Sequence, residues 1–295
     1  MAITLDGSLG ITSPLETVTG QFSSASTMGF KNRIINGAMG ISQRGTSGTV
    51  SGAYMLDRWY ANQSGTAPAW SQLYGSLFAP QRYGLQLTGA AGNTATQINQ
   101  RIESINSADL ANGVVTVSGW FYQNTGSTMT LPFQIFYATV GVDNYTSAIA
   151  SITAVNVSLP NNVWTYLSNQ ITLPSVASQG IQLAITPTAL GTSQIFVMSN
   201  VQLEKGSIAT SFDYRPYGTE LQLCQRYYQS YSAGFVIDTG SAFQTFPLPV
   251  TMRAVPTLTG TAVGAGYNIS NNTTTSLAQY QTTRAQGSGF LTAEL

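Results

Sequence analysis

Any chemistry in this chain has to be done with few tools. The 295 residues hold 11 Asp plus Glu and 11 Lys plus Arg but no histidine. That removes the commonest general base near neutral pH, every histidine-containing triad and the usual zinc ligand sets. Glycoside hydrolysis needs only two carboxyl groups, about 5 to 9.5 Å apart. Asp57, Glu103, Asp109, Asp143, Glu204, Asp213 and Asp238 lie within or near predicted strands, but the acids are not grouped in sequence. The expectation is a protein that is not an enzyme, with no catalytic residues, no metal site and no cofactor. Calcium held by backbone carbonyls and one or two carboxylates is left unassigned, because no loop has a dense Asp/Asn pattern.

Binding chemistry is better supplied. In Asp57-Arg58-Trp59 an acid, a base and an indole sit on neighbouring positions of one predicted strand. They make either a structural ion pair beside a packed ring or a platform for a pyranose, whose apolar face suits an indole. Trp70, Trp120 and Trp164 face the same choice, and Trp70, in the loop-like Thr66-Ala67-Pro68-Ala69-Trp70, is the first candidate for a surface aromatic. Arg226-Tyr227-Tyr228-Gln229-Ser230-Tyr231 concentrates tyrosines, which give large contact area for few rotatable bonds. Packing between domains or subunits is the competing use. The candidate carbohydrate-binding residues are Trp59, Trp70, Tyr227 and Tyr231.

The elements that must position these groups are strands. Hydrophobic residues make up 43% of the chain and charged residues 7%, and Ser, Thr, Asn, Gln and Gly fill the rest, a mix suited to short strands and tight turns. Low charge removes a common block to edge-to-edge pairing, so covered edges and an obligate oligomer are expected. A net charge of 0 gives no field to draw in a polyanion, so nucleic acid is not an expected partner. Cys224 stands alone, which excludes an intrachain disulfide and fits synthesis in the cytosol. The start of the chain lacks a basic segment followed by an apolar run, and no stretch of about 18 apolar residues occurs, so neither a signal peptide nor membrane insertion is expected.

Three segments follow from the pattern. Residues 1–30 read as an extended N-terminal attachment arm, which needs a partner surface to offset its ordering entropy. Residues 31–217 show short alternating runs, about nine strands, clearest at Val114 to Tyr122. Ile149 to Leu159 and Trp164 to Leu173 flank Pro160-Asn161-Asn162 as a predicted hairpin. Together these predict an all-β antiparallel sandwich of jelly-roll type. Arg215-Pro216-Tyr217-Gly218 marks a boundary, and residues 218–295 read as a small β-rich C-terminal domain. It carries one short helix at Thr219 to Tyr228 and an exposed polar loop at Ser270 to Ser276.

Asn32-Arg33-Ile34-Ile35-Asn36-Gly37-Ala38-Met39, then Ser42-Gln43-Arg44-Gly45 and Tyr54-Met55-Leu56-Asp57-Arg58-Trp59, resembles the opening of a family of tailed-bacteriophage tail and fibre proteins. The resemblance continues through Val201 to Phe212 and Glu220 to Tyr228; Met252 to Thr257 and Gly289 to Leu295 resemble the C-terminal domain of these phage proteins, and Asp6 to Thr12 resembles phage structural N-termini more loosely. The stretch ending near Phe212 is similar to the last strand of jelly-roll carbohydrate-binding modules. The resemblance implies a virion protein, a homotrimeric tail fibre or receptor-binding adhesin for host attachment. Its arm 1–30 would bind phage tail or capsid proteins, and its C-terminal domain would form the receptor-binding tip for a host cell-surface glycan. A capsid decoration (head fibre) or tail adaptor is the alternative, and a polysaccharide depolymerase a weaker one.

Overall fold

The computed structural model describes residues 4–6, 10–13, 16–17, 30–78, 81–146, 149–237, 242–263, 268–269, 273–281 and 285–295. Asp238 and residues 270–272 of the expected polar loop lie outside them. Met1–Lys31 form one compact unit and Asn32–Leu295 another. In the first, β1 (Thr4–Asp6), β2 (Gly10–Ser13) and β3 (Glu16–Thr17) make a small antiparallel sheet in that order.

The second unit is built on a sandwich. Its strands are β4 (Ser47–Thr49), β5 (Ala53–Tyr54), β6 (Tyr60–Gly65), β7 (Ala69–Phe78), β8 (Gln81–Thr88), β9 (Asn93–Ile102), β10 (Val114–Gln123), β11 (Met129–Ala138), β12 (Ile149–Ser151), β13 (Val155–Leu159), β14 (Thr165–Thr172), β15 (Ile181–Ile185) and β16 (Ile195–Lys205). A six-stranded sheet runs β14-β10-β16-β8-β7-β4. A seven-stranded sheet runs β12-β11-β15-β9-β6-β5, with β13 also paired to β11. The expected all-β antiparallel sandwich is what forms.

Alternation explains the burial. Along β10, Val115, Val117 and Phe121 point into the sandwich and are fully buried. Phe121 meets Phe133 of β11 at 5.4 Å and Phe196 of β16 at 6.2 Å between ring centroids, joining the two sheets across one core. Truncating such a ring to alanine costs about 3–5 kcal/mol. β15 lies between β11 and β9 and is buried at every position, which is why Ile181-Gln182-Leu183-Ala184-Ile185 reads as an almost unbroken apolar run.

Two local expectations are corrected. Pro160-Asn161-Asn162 does not close a hairpin, because β13 pairs with β11 while β14 pairs with β10, so the turn carries the chain from one sheet to the other. Asn162 has φ 58°, its N–H donates to the Gln123 carbonyl at 2.8 Å, and Asn161 Oδ1 accepts from Gly126 N–H at 2.8 Å. The turn is therefore bonded to the β10–β11 connection rather than to a sister strand. Asp57-Arg58-Trp59 is likewise not one strand. A turn with Arg58 at φ 70° separates β5 from β6, closed by Trp59 N–H to the Leu56 carbonyl at 2.9 Å. Arg58 pairs with Glu294 instead of Asp57.

The opening of the sandwich is a set of pins. Asn32 donates to the Val201 carbonyl at 3.2 Å and accepts from Ile34 and Leu203 N–H. Asn36 donates to the Ile41 and Asp57 carbonyls and accepts from Ile41 N–H. Gly37 lies so close to β16 that a Cβ there would run into the Val201 carbonyl. These residues fasten the entering chain to the middle of β16.

After β16 the chain forms a helix at Tyr217–Gln225, two residues earlier than predicted at its start and three at its end. Pro216 opens it with φ −53°, a value its ring favours, and Tyr228 is already needed to begin the next strand. Two antiparallel sheets follow. β17 (Tyr228–Ile237), β22 (Ala285–Thr292) and β19 (Thr257–Val263) form one; β18 (Ala242–Pro247), β21 (Ser276–Gln281) and β20 (Asn268–Ile269) form the other, each in that order. Ion pairs join this region to the sandwich. Glu103 holds Arg226 at 3.1 Å and Arg253 at 3.0 Å, and Glu294 holds Arg44 at 2.6 Å as well as Arg58.

Candidate functional site

The outward face of the six-stranded sheet carries the groups best suited to a ligand. On β10 the positions that alternate with the core residues are Thr116, Ser118, Trp120 and Tyr122. Trp120 stands opposite Tyr166 in the β10–β14 register, with ring centroids 5.5 Å apart. One step further out, Tyr122 meets Trp164, just before β14, also at 5.5 Å. Tyr122 donates its hydroxyl to Asn162 Oδ1 at 3.1 Å, so the turn between the sheets orients this second pair. Tyr166 is 42% exposed, and Trp120, Tyr122 and Trp164 are half-buried. The result is a ladder of rings along an edge strand, open to solvent on one side.

A β-bulge shapes the other flank. Between Ser118↔Gln202 and Trp120↔Ser199, β16 has one residue more than β10. Asn200 takes up the irregularity at φ 49°, and its side-chain amide donates to the Tyr214 hydroxyl at 2.7 Å. The chain leaving β16 then folds back over the sheet. Thr116 Oγ1 donates to the Gly206 carbonyl at 2.8 Å, and the Glu204 carboxylate accepts from Thr210 N–H at 2.8 Å, Thr210 Oγ1 at 2.7 Å and Gln202 Nε2 at 2.8 Å. This return buries Thr116, Ser118, Gln202 and Glu204 and raises a wall beside Trp120.

Between wall and ladder lies a groove of about 610 Å³, lined by Ser118, Trp120, Tyr166, Asn200, Thr210 and Tyr214 among others, all uncharged. Past Asn200 and Tyr214 a second pocket of about 210 Å³ continues between the Asn36–Ile41 segment, the start of β8 and the helix. Ring faces flanked by hydroxyl and amide groups can hold the C–H faces of a sugar and fix its hydroxyls. The groove offers no general acid.

The residues singled out from sequence lie elsewhere. Trp59 is fully buried and donates its indole N–H to the Asn36 carbonyl at 3.0 Å. Trp70 is in strand β7, not a loop. It is only 7% exposed and stands opposite Leu87 with its ring in the core, which corrects the expectation of a surface aromatic. Tyr227 is 1% exposed, with the Arg58 guanidinium 3.5 Å over its ring. A ring enclosed by protein cannot present its face to a sugar. Tyr231 pairs through its backbone with Gly289 in β17, and its side chain lies outside the described residues. Trp120 and Trp164, which the sequence leaves open between core packing and ligand contact, are the two indoles of the ladder. The signal that would have found them is the placement of large aromatics at the outward positions of β10, repeated in Trp164-Thr165-Tyr166.

Most of the described acids have separate partners, while Glu103 and Asp143 share Arg253, at 3.0 and 4.0 Å. Asp57 accepts from Gln43 N–H at 2.6 Å and Nε2 at 2.8 Å, and burial pushes its carboxyl upward against these bonds. Asp109 binds Arg33 at 2.8 Å, Asp143 accepts from Ser104 N–H at 2.7 Å, and Asp213 accepts from Asn32 N–H at 3.3 Å. Among the described residues no three His, Cys, Asp or Glu side chains gather as a metal site.

No protein-family model matches the chain, and no curated protein matches it. Solved structures do. The enzymatically active domain of tailspike protein 4 from bacteriophage CBA120 aligns at 16% identity and TM-score 0.40, over 60% of this chain but 22% of the tailspike. The carbohydrate-binding module TmCBM61, solved with β-1,4-galactotriose, aligns at 12% identity and TM-score 0.37 over 60% of this chain and 100% of the module. A CBM22-1 xylan-binding domain of Paenibacillus barcinonensis Xyn10C aligns at 17% identity and TM-score 0.35 over 55% and 94%.

Proposed function

We propose that this protein is a non-enzymatic virion adhesin of a tailed phage, and that it holds glycans of the host surface on the outward face of its six-stranded sheet. The observation that carries the reading is the ladder formed by the Trp120–Tyr166 and Tyr122–Trp164 pairs beside an uncharged groove. Large rings half-open on a sheet face mark an interaction surface, and a sugar suits their faces and the flanking hydroxyl and amide groups. The virion setting rests on the resemblance of residues 32–59, 201–212 and 220–228 to tail and fibre proteins.

In this reading residues 1–30 attach the protein to phage tail or capsid proteins, three copies associate, and residues 218–295, with Tyr231, form the tip. Repetition of weak sugar contacts raises avidity about a hundredfold or more. The alternative, a head-fibre decoration or tail adaptor, uses the same rings for subunit packing.

The test is titration of the full chain against a panel of bacterial surface oligosaccharides, and of labelled protein against cells with and without surface polysaccharide. Removing both Trp120 and Tyr166 should weaken binding at least about tenfold, the equivalent of one lost ring contact, with the circular dichroism spectrum retained. Wild-type protein that binds no glycan and no cell would move the reading to the decoration role.

A further inference from the structure

The pocket beyond Asn200 holds a charge that no described residue compensates. Among the described residues, Arg33, Arg44, Arg58, Arg215, Arg226 and Arg253 each lie within ion-pair distance of a carboxylate. Arg101 donates to Gln182 and to the Leu295 carbonyl. Arg82, exposed and lining the pocket, is the arginine among them whose guanidinium has no such partner. The acid in the pocket wall, Glu220, is engaged with Arg215 at 3.2 Å and with Asn36 N–H. Asp213 is turned to Asn32 N–H and does not line the pocket. One positive charge is thus left facing the cavity of a chain whose net charge is 0 and whose groove beside Trp120 is uncharged.

The groups around Arg82 suit a single sugar ring. Tyr83 is half-buried, with the Tyr74 ring 5.1 Å away. Tyr214 accepts from Asn200 Nδ2, so its own O–H remains to donate. Tyr217, 66% exposed, closes the far side. The volume of about 210 Å³ is on the scale of one ring, and the pocket is joined to the larger groove through Asn200, Phe212 and Tyr214.

We infer that this pocket takes a carboxylate-bearing ring of an acidic glycan, a uronic-acid residue, with Arg82 as the group that reads the charge. The planar fork of a guanidinium matches a carboxylate with two parallel hydrogen bonds. Neighbouring rings of the same glycan then lie along the Trp120–Tyr166 face, so the inference rests on the glycan reading and names its ligand class. Because Arg82 is exposed, its preference for acid is screened by salt.

The experiment compares a cello-oligosaccharide with the same chain after its primary hydroxyls are oxidised to carboxylates. The wild-type full chain should prefer the acidic form by about tenfold at low salt, less at high salt. Arg82→Met should abolish the preference. Equal affinities in wild type, or a preference that survives Arg82→Met, overturn the inference and leave the glycan reading standing. A second arm needs no aromatic ladder: saturation-transfer NMR with free glucuronate and free glucose. Transfer to glucuronate that persists in Trp120→Ala and is lost in Arg82→Met supports the pocket even if no oligosaccharide binds; no transfer to glucuronate overturns it.

Discussion

Removing the carboxylate of Glu294 should be among the most damaging single changes in this protein. Glu294, 9% exposed, accepts from both Arg44 and Arg58, and the Arg58 side chain is 1% exposed. Burial is the largest single influence and opposes the charge of Arg58, but the Glu294 carboxylate, together with Tyr227, Tyr54 and Cys224, outweighs it and keeps the guanidinium protonated. In Glu294→Ala that cation stays buried with the Arg101 carbonyl and the Tyr227 ring as its remaining partners, and its Nε already lacks one. Breaking a buried pair from one side costs about 3–5 kcal/mol. The ring and the carbonyl stay in place, so about 3 kcal/mol is the better figure, equal to a fall in Tm of about 6–12 °C for a unit of this size. Thermal and urea unfolding of the two single variants and of Glu294→Ala/Arg58→Met measure it. The double variant should be more stable than Glu294→Ala alone, since the stranded charge is gone. A fall under about 2 °C in Glu294→Ala, or strict additivity in the double variant, would refute the reasoning.

Two further outcomes follow from burial in the same region. Burial pushes the Tyr54 and Tyr227 phenols up to about 12, so the stability they carry is intact below their ordinary value of 10.0 and is lost as pH rises through about 12. Unfolding against pH, followed by tyrosinate absorbance, should show a late cooperative step that is reduced in Tyr54→Phe/Tyr227→Phe. A smooth titration near 10.0 for all tyrosines would contradict it. Cys224 is fully buried in the helix and burial raises its thiol well above the usual range. It should therefore resist maleimide in the native protein and react after denaturation, and prompt native labelling would mean that the helix does not pack as described.

The sequence carries the fold better than it carries the site, for a reason visible in particular strands. Period-two alternation in Val114 to Tyr122 reports which residues point together, and β10 obeys it through the inward Val115, Val117 and Phe121. It does not report which of two large faces is the core. Trp59 and Trp70 read as good platforms because indoles are chemically suited to sugars, yet both are core. Their neighbours in sequence say nothing of the Asn36 carbonyl or of Leu87 that receive them. The misplaced hairpin has the same origin. Pro160-Asn161-Asn162 correctly marks a reversal, but whether the next strand joins the same sheet or the opposite one is decided by β10 and β11, some thirty residues away. The Arg82 pocket is assembled from four separate segments, and Arg82 stands out only because the other described arginines have partners.

The rings that make the proposed binding face also hold the sheet together. β14 is an edge strand, bonded to β10 on one side, and its outward residues are those of an exposed ladder. With 7% charged residues the chain has few charges to guard such an edge. The Trp120–Tyr166 and Tyr122–Trp164 pairs pin the register of β14, each contributing about 0.5–1.5 kcal/mol beyond its buried area. A bound glycan would cover the same rings and add a second reason for them to stay in line. Stability and recognition are therefore coupled at this face, and a loss of binding after truncation to alanine could arise through either. Trp120→Phe separates the two: it keeps an aromatic partner for Tyr166, and so the edge strand, while removing much of the ring area offered to a sugar. Binding that weakens in Trp120→Phe at unchanged Tm belongs to the ligand contact, and binding that tracks Tm across the series belongs to the sheet.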